Sequence, residues 1–298
     1  MNYAEQFRLG AVQDNKAFPD HRRFLKQVIS WGFLWVEFKY ERALDPDNQL
    51  LGPLGAELGR MASRAGLGVS VHAPYDEKEP INLGDEDRTV RVNSRRAVRQ
   101  SLEFAANVGA SYVTIHGSYQ WFPDADASFQ LPLRLRVSQL QYETMRERYL
   151  EELSALCWQA KAAGLTMAVE NFYDSPLGRG KVKFPVRPDQ VRHCLDAIPD
   201  NLGFMYDLGH GNSLGMHPAD FLDMVGPRHL MGTHIHDNDG SKDQHWVVGE
   251  GTIDMLGFLL FAKQRQLTFP LNLELKNEDD LLASRAALQT LLQKIADS

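Results

Sequence analysis

Apolar runs of strand length recur along the chain, and the polar stretches between them carry helical periodicity. The apolar pattern predicts strands over Phe7–Gln13, Trp35–Lys39, Leu67–His72, Tyr112–His116, Leu165–Glu170, Leu202–Asp207, His229–His236 and Leu271–Lys276. Helical patterns separate and follow them, over Pro19–Trp31, Pro53–Ala65, Asp87–Val108, Ser138–Ala163, Pro188–Ile198, Pro218–Val225, Asp254–Gln266 and Glu278–Ala296. Several open with helix-start chemistry, such as Pro19-Asp20 and Pro188-Asp189, and several end near glycine, as at Gly66, Gly109 and Gly164.

Strict strand and helix alternation over this length predicts the α/β class and a (β/α)8 TIM barrel. No Pro/Gly/Ser-rich linker interrupts it, so residues 1–298 read as one domain. Six of the apolar runs deliver a potential metal ligand at or near the C-terminal end: His72, His116, Glu170, Asp207, His236 and Glu274. Parallel barrel strands bring those ends to one face, so groups far apart in sequence converge there. Burying so many imidazoles and carboxylates costs desolvation energy that shared partners or a cation must offset.

The most economical ligand set is Glu170, Asp207, His236 and Glu274, three carboxylates and an imidazole suited to Mn²⁺, Mg²⁺, Co²⁺ or Zn²⁺. His234 competes with His236. Alternation turns both inward, but His236 lies nearer the mouth, so His236 is the expected ligand and His234 a support or substrate contact. His72, His116, His210, Asp243 and His245 could complete a second or third cation site or hydrogen-bond a polyhydroxy substrate. One metal per chain is the simplest expectation, with up to three allowed. Glu37 reads equally as a mouth residue or a surface ion-pair partner, and Glu250, between two glycines, as part of a tight turn.

Charge and composition narrow the partners. A net charge of −7 and a pI near 5.8 argue against broad attraction to nucleic acid. A local basic segment, Arg179, Lys181, Lys183 and Arg187, reads as a solvated loop or as a clamp for an anionic substrate group. The aromatic and Pro-containing segment from Gly117 to Val137 is long enough to be a lid or substrate wall. The longest apolar run, Met255–Ala262, is too short to span a bilayer, and the N-terminus lacks a leader pattern, so a cytoplasmic protein is expected. Cys157 and Cys194 fall inside predicted helices, as packing residues.

The stretches HIHDNDGSKDQHWVVGEGTID and YDLGH, with Asn171 after Glu170, resemble the xylose-isomerase-like TIM barrels, most closely their sugar isomerase and epimerase branch. The resemblance implies one divalent metal on Glu170, Asp207, His236 and Glu274. The two glutamates would then move a proton on and off the carbon beside a carbonyl, through an enediolate. It implies a small carbohydrate or sugar-phosphate substrate, no membrane, and is compatible with a homo-oligomer. The related endonuclease IV is the second reading. Its nine zinc ligands match His72, His116, Glu170, Asp207, His210, His236, Asp243, His245 and Glu274 in order, with Ile81-Asn82-Leu83-Gly84 and Val248-Gly249-Glu250-Gly251. Those repair enzymes, however, carry DTCH where this chain has Asp207-Leu208-Gly209-His210, and HLND(A/S)K where it has His236-Asp237-Asn238-Asp239-Gly240-Ser241. A keto-polyol dehydratase is the third reading, since the same enediolate can lose water. A non-catalytic carbohydrate-binding barrel is disfavoured, because binding alone needs no pair of metal-bound glutamates.

Overall fold

A computed structural model describes residues 7–41, 45, 47–75, 81–121, 139–173 and 181–297, without the side chains of residues 121, 139 and 181. Eight parallel strands close into a barrel. They are β1 (Arg8–Val12), β2 (Trp35–Lys39), β3 (Gly68–His72), β4 (Tyr112–Ile115), β6 (Thr166–Glu170), β8 (Leu202–Asp207), β9 (Leu230–Ile235) and β10 (Pro270–Leu273). Around the barrel each strand pairs with its neighbour in the chain of barrel strands, and β1 closes on β10.

The helices are α1 (His21–Ser30), α2 (Pro53–Arg64), α3 (Arg88–Val108), α4 (Gln139–Ala162), α5 (Pro188–Ala197), α6 (Leu208–Asn212), α7 (Pro218–Val225), α8 (Met255–Gln264) and α9 (Glu278–Asp297). Local chemistry starts them where the sequence says it should. Asp20, Asp87 and Asp254 each accept a main-chain N–H from the first turn of α1, α3 and α8, satisfying donors that no helical carbonyl reaches. Proline opens α2, α5 and α7, where its missing N–H costs nothing. The main core lies between barrel and helices, with Phe24, Phe38, Phe104, Phe204, Phe221 and Phe258 fully buried.

Inside the barrel a smaller cluster of Trp35, Tyr112, Ala168 and Met205 plugs the floor. Trp35 stacks on Tyr112 at 5.9 Å. The indole fits only because its register partner is Gly68, where a Cβ would stand 2.0 Å from the ring.

Three elements were not legible in the apolar pattern. β5 (Ser118–Trp121) and β7 (Lys181–Phe184) pair antiparallel as a separate ribbon. They come from the start of the expected lid and from the basic segment, both read as loops. Residues 122–137 of the lid and Arg179 lie outside the described residues, as does the side chain of Lys181. The short α6 is the third. Asp207 caps it through Oδ1, 2.7 Å from the His210 N–H, and one turn carries His210 back toward the mouth.

Among the described residues no helix is long and apolar enough to cross a membrane.

Candidate metal centre at the barrel mouth

The strand ends, α6 and the loop after β9 bring the ten candidate metal or substrate residues together. Glu170 is the hub, 1 % exposed at the end of β6. Its Oε2 lies 3.1 Å from His72 Nε2 and 3.5 Å from His116 Nε2, and its Oε1 lies 3.1 Å from His234 Nδ1. Glu274 directs Oε2 to His234 Nδ1 at 3.4 Å, while its Oε1 receives the Lys39 ammonium at 2.6 Å. Asp207 faces His236 Nε2 at 3.3 Å. Asn171, just past the end of β6, fixes Asp207 by accepting its main-chain N–H and donating to its carbonyl.

The two histidines of β9 and its end meet different donor groups. Donor atoms of Glu170, Asp207, His234 and Glu274 all lie within 4.8 Å of one another, whereas His236 groups with Asp243 and His245. Both rings do point inward, as alternation requires. Depth separates them: His234 is the register partner of Asp207 within β9, and His236 sits one residue beyond the strand. Both imidazoles meet carboxylates: His234 lies against Glu37, Glu170 and Glu274, and His236 against Asp207 and Asp243. His236 still reaches Asp207, and it can do so because residue 209 is glycine; a Cβ there would lie 2.0 Å from its ring.

An outer group surrounds Asp243. Its Oδ2 lies 3.2 Å from His245 Nε2 and 3.6 Å from His210 Nε2, and its Oδ1 lies 3.5 Å from His236 Nε2. His236 and His245 stack at 4.0 Å.

The residues fit a divalent cation on their own chemistry. His72, His210 and His245 each place Nδ1 against a main-chain carbonyl, of Ala73, Asn171 and Glu274, at 2.6, 2.7 and 2.8 Å. A carbonyl only accepts, so Nδ1 carries the proton and the Nε2 lone pair of a neutral ring faces a carboxylate oxygen. Two electron-rich atoms stay this close only with a proton or a cation between them. Outer hydrogen bonds of this kind orient metal-ligating histidines. His234 is held in the same way by a carboxylate: its Nε2 meets Glu37 Oε1 at 2.7 Å. Glu37 is fully buried, and its Oε2 accepts from Ser70 at 2.7 Å and Thr114 at 3.3 Å. It is thus a support beneath the mouth and not a surface residue. Among the described residues, buried His236 Nδ1, His116 Nδ1 and Asp243 Oδ1 have no hydrogen-bond partner.

Protons stand in for positive charge among these groups. For Glu170, burial pushes the carboxyl up, but His234, by charge and hydrogen bond, and the His72 hydrogen bond overrule it and hold it well below the usual range. Burial likewise opposes ionisation of Glu274, and Lys39 and His234 overrule it. Burial lowers His210, yet Asp207, Asp243 and Glu170 bring it up to about 10. His116 goes the other way: burial takes it down to about 3 against the pull of Glu170, leaving a neutral imidazole.

A cavity of about 350 Å³ opens above these groups. Tyr75, His116 and Phe172 form one wall, with His116 stacked on Phe172 at 5.1 Å. Lys183, from the β7 strand, lies 5.4 Å from the Phe172 ring and 5.2 Å from that of Tyr173, and lines the cavity. Lys39 and the aromatic wall are site residues that the sequence reading missed. Lys39 had the same signal as the ligands, a polar group ending an apolar strand, but a cation is not a ligand type.

Comparison with known proteins places these features in a family. The chain is 26 % identical over 242 residues to the uncharacterized protein MJ1311 of Methanocaldococcus jannaschii, covering 79 % of this chain and 74 % of that one. It is 29 % identical over 240 residues to the probable endonuclease 4 of Mycobacterium ulcerans, covering 76 % and 81 %. Among solved structures, a D-tagatose 3-epimerase-like protein superposes with a TM-score of 0.79 at 21 % identity, covering 98 % and 99 %. The 3-keto-D-glucoside 4-epimerase YcjR from E. coli gives 0.72 at 18 %, covering 96 % and 99 %. At these identities the structural likeness establishes the fold. The family model described as xylose isomerase-like TIM barrel matches residues 25–295, and the chain belongs to that family.

Proposed function

We propose that the protein is a divalent-metal-dependent isomerase or epimerase of a sugar, sugar phosphate or polyol, working by proton transfer at the carbon beside a carbonyl. One observation carries this reading. Two deprotonated glutamates, Glu170 and Glu274, flank His234 Nδ1 at the floor of a cavity that is near the lower size limit for small-molecule sites. Glu170, Asp207, His234 and Glu274 would hold the cation, with His236 beside Asp207. A cation bound there supplies charge stabilisation for the oxygen that becomes negative when the neighbouring carbon loses its proton.

The chain's own groups supply the rest. Glu170 is ionised and oriented by His72 and His234, so it can accept the carbon-bound proton. Glu274 is the second carboxylate able to exchange a proton with substrate. Neutral His116 and the Tyr75–Phe172 wall can stack on and hydrogen-bond a polyhydroxy chain while excluding water. Lys183 stands where an anionic group on the substrate would meet a cation.

Deuterium incorporation tests the reading. Ketoses, ketose phosphates and keto-polyols are incubated with the protein and Mn²⁺ or Co²⁺ in D2O and followed by NMR. Deuterium should appear at the carbon beside the carbonyl, and loss of water from a keto-polyol would mark the dehydratase variant. The matched nine donors and the resemblance to a probable endonuclease 4 favour a second reading, a multi-zinc phosphodiesterase acting on abasic DNA. Nicking of an abasic duplex with Zn²⁺, lost in Glu170→Gln and without deuterium uptake in any carbonyl substrate, would replace the first reading with the second.

A further inference from the structure

The two glutamates of the mouth have unequal surroundings. Both oxygens of Glu170 meet imidazoles, at 3.1 Å each. Glu274 instead gives Oε1 to the Lys39 ammonium at 2.6 Å and keeps only Oε2 toward His234. Lys39 ends β2, where its Cα is the register partner of His72. Its main chain is fixed from behind: the Lys39 carbonyl lies 3.1 Å from Nε2 of His21, which is buried against Phe38 and Phe104. Its side chain is 25 % exposed and lines the cavity. Burial works against the ammonium charge, but Glu274 overrules it and keeps the lysine protonated.

We propose that Lys39 is a positioning residue that occupies one oxygen of Glu274, so that Glu274 offers a cation and a substrate only the other and the two glutamates act as unequal bases. The cation half of this stands on the contacts alone, and the proton-transfer half rests on the isomerase reading. An ammonium competes with a divalent cation for the same carboxylate and repels it at short range. Removing it frees Oε1 and removes the repulsion, so cation affinity rises. Removing it also lets the carboxylate rotate away from the one orientation that faces substrate, so turnover falls. A lysine needed only for folding would lower both quantities, and an idle one would move neither.

The test uses the full chain stripped with chelator and reloaded with Mn²⁺, followed by calorimetric titration and by deuterium exchange into the ketose on which the native protein acts. Lys39→Met should bind Mn²⁺ about tenfold more tightly than the native chain, the scale of a neighbouring charge at short range. Its exchange rate should fall roughly a hundredfold, the lower range of a displaced acid–base group. Lys39→Arg, which keeps the charge, should retain native Mn²⁺ affinity. Lys39→Gln serves as the second neutral variant should the methionine chain fail to fold. Equal or weaker Mn²⁺ binding in a neutral variant with a native circular dichroism spectrum would overturn the proposal. Absence of exchange in the native chain would count against the isomerase reading, and the Mn²⁺ titration would still decide the role of Lys39.

Discussion

The inner donor group and the outer one lie side by side, yet they are built differently. Glu170, Asp207 and His234 ride on strands whose register the barrel fixes, and none is more than 1 % exposed. Asp243 and His245 belong to the loop after β9, and the Asp243 side chain is 30 % exposed. That loop is held by its own hydrogen bonds. Asp237 accepts from the main chain at Asn238, Gly249 and Ile253, and pairs with Trp246 as a single bridge. His245 sits at φ +58°, a strained position for a residue with a Cβ, anchored by the Glu274 carbonyl. Barrel strands thus preform the inner group at no cost beyond folding, whereas the outer group depends on a loop that must be ordered. The inner group should therefore bind a cation first and most tightly.

Substitutions break this comparison in graded ways. Glu170→Gln removes the hub shared by four histidines, and deuterium exchange should fall by roughly a thousandfold while far-UV circular dichroism stays native. His234→Ala should lower Mn²⁺ affinity by about a hundredfold, and His236→Ala by much less, both read by calorimetric titration. A result with His236→Ala as the emptied variant would return the ligand role to the residue favoured by the sequence pattern. Glu37→Gln keeps the volume of the support beneath His234 but removes its charge, so Mn²⁺ affinity should drop about tenfold, at the low end for an outer hydrogen-bond partner of a ligand. His245→Ala, confined to the outer group, should leave the tight Mn²⁺ equivalent intact and slow exchange by only a few-fold.

The contrast also explains what was legible in the sequence. All eight barrel strands and the carboxylates at their ends follow from apolar runs of strand length, because a strand buried on both faces must be apolar along its length. Alternation showed that His234 and His236 share a face, but not which of them is level with Asp207. That depends on inter-strand register, which one chain's pattern does not carry. The β5–β7 ribbon was hidden for a similar reason: Ser118 pairs with Phe184 across a long separation, and neither run is apolar enough to stand out. Lys39 was hidden by its type. It looked like the end of a strand, and only the structure places it on Glu274.

The most direct test of the account is the number of metal ions retained per chain, measured by mass spectrometry after Mn²⁺ loading and dialysis of the native, His234→Ala and His245→Ala proteins. One retained equivalent in the native chain, kept in His245→Ala and absent from His234→Ala, is the result predicted from a preformed inner group. Three equally retained equivalents, or one that His234→Ala keeps and His245→Ala loses, would contradict it.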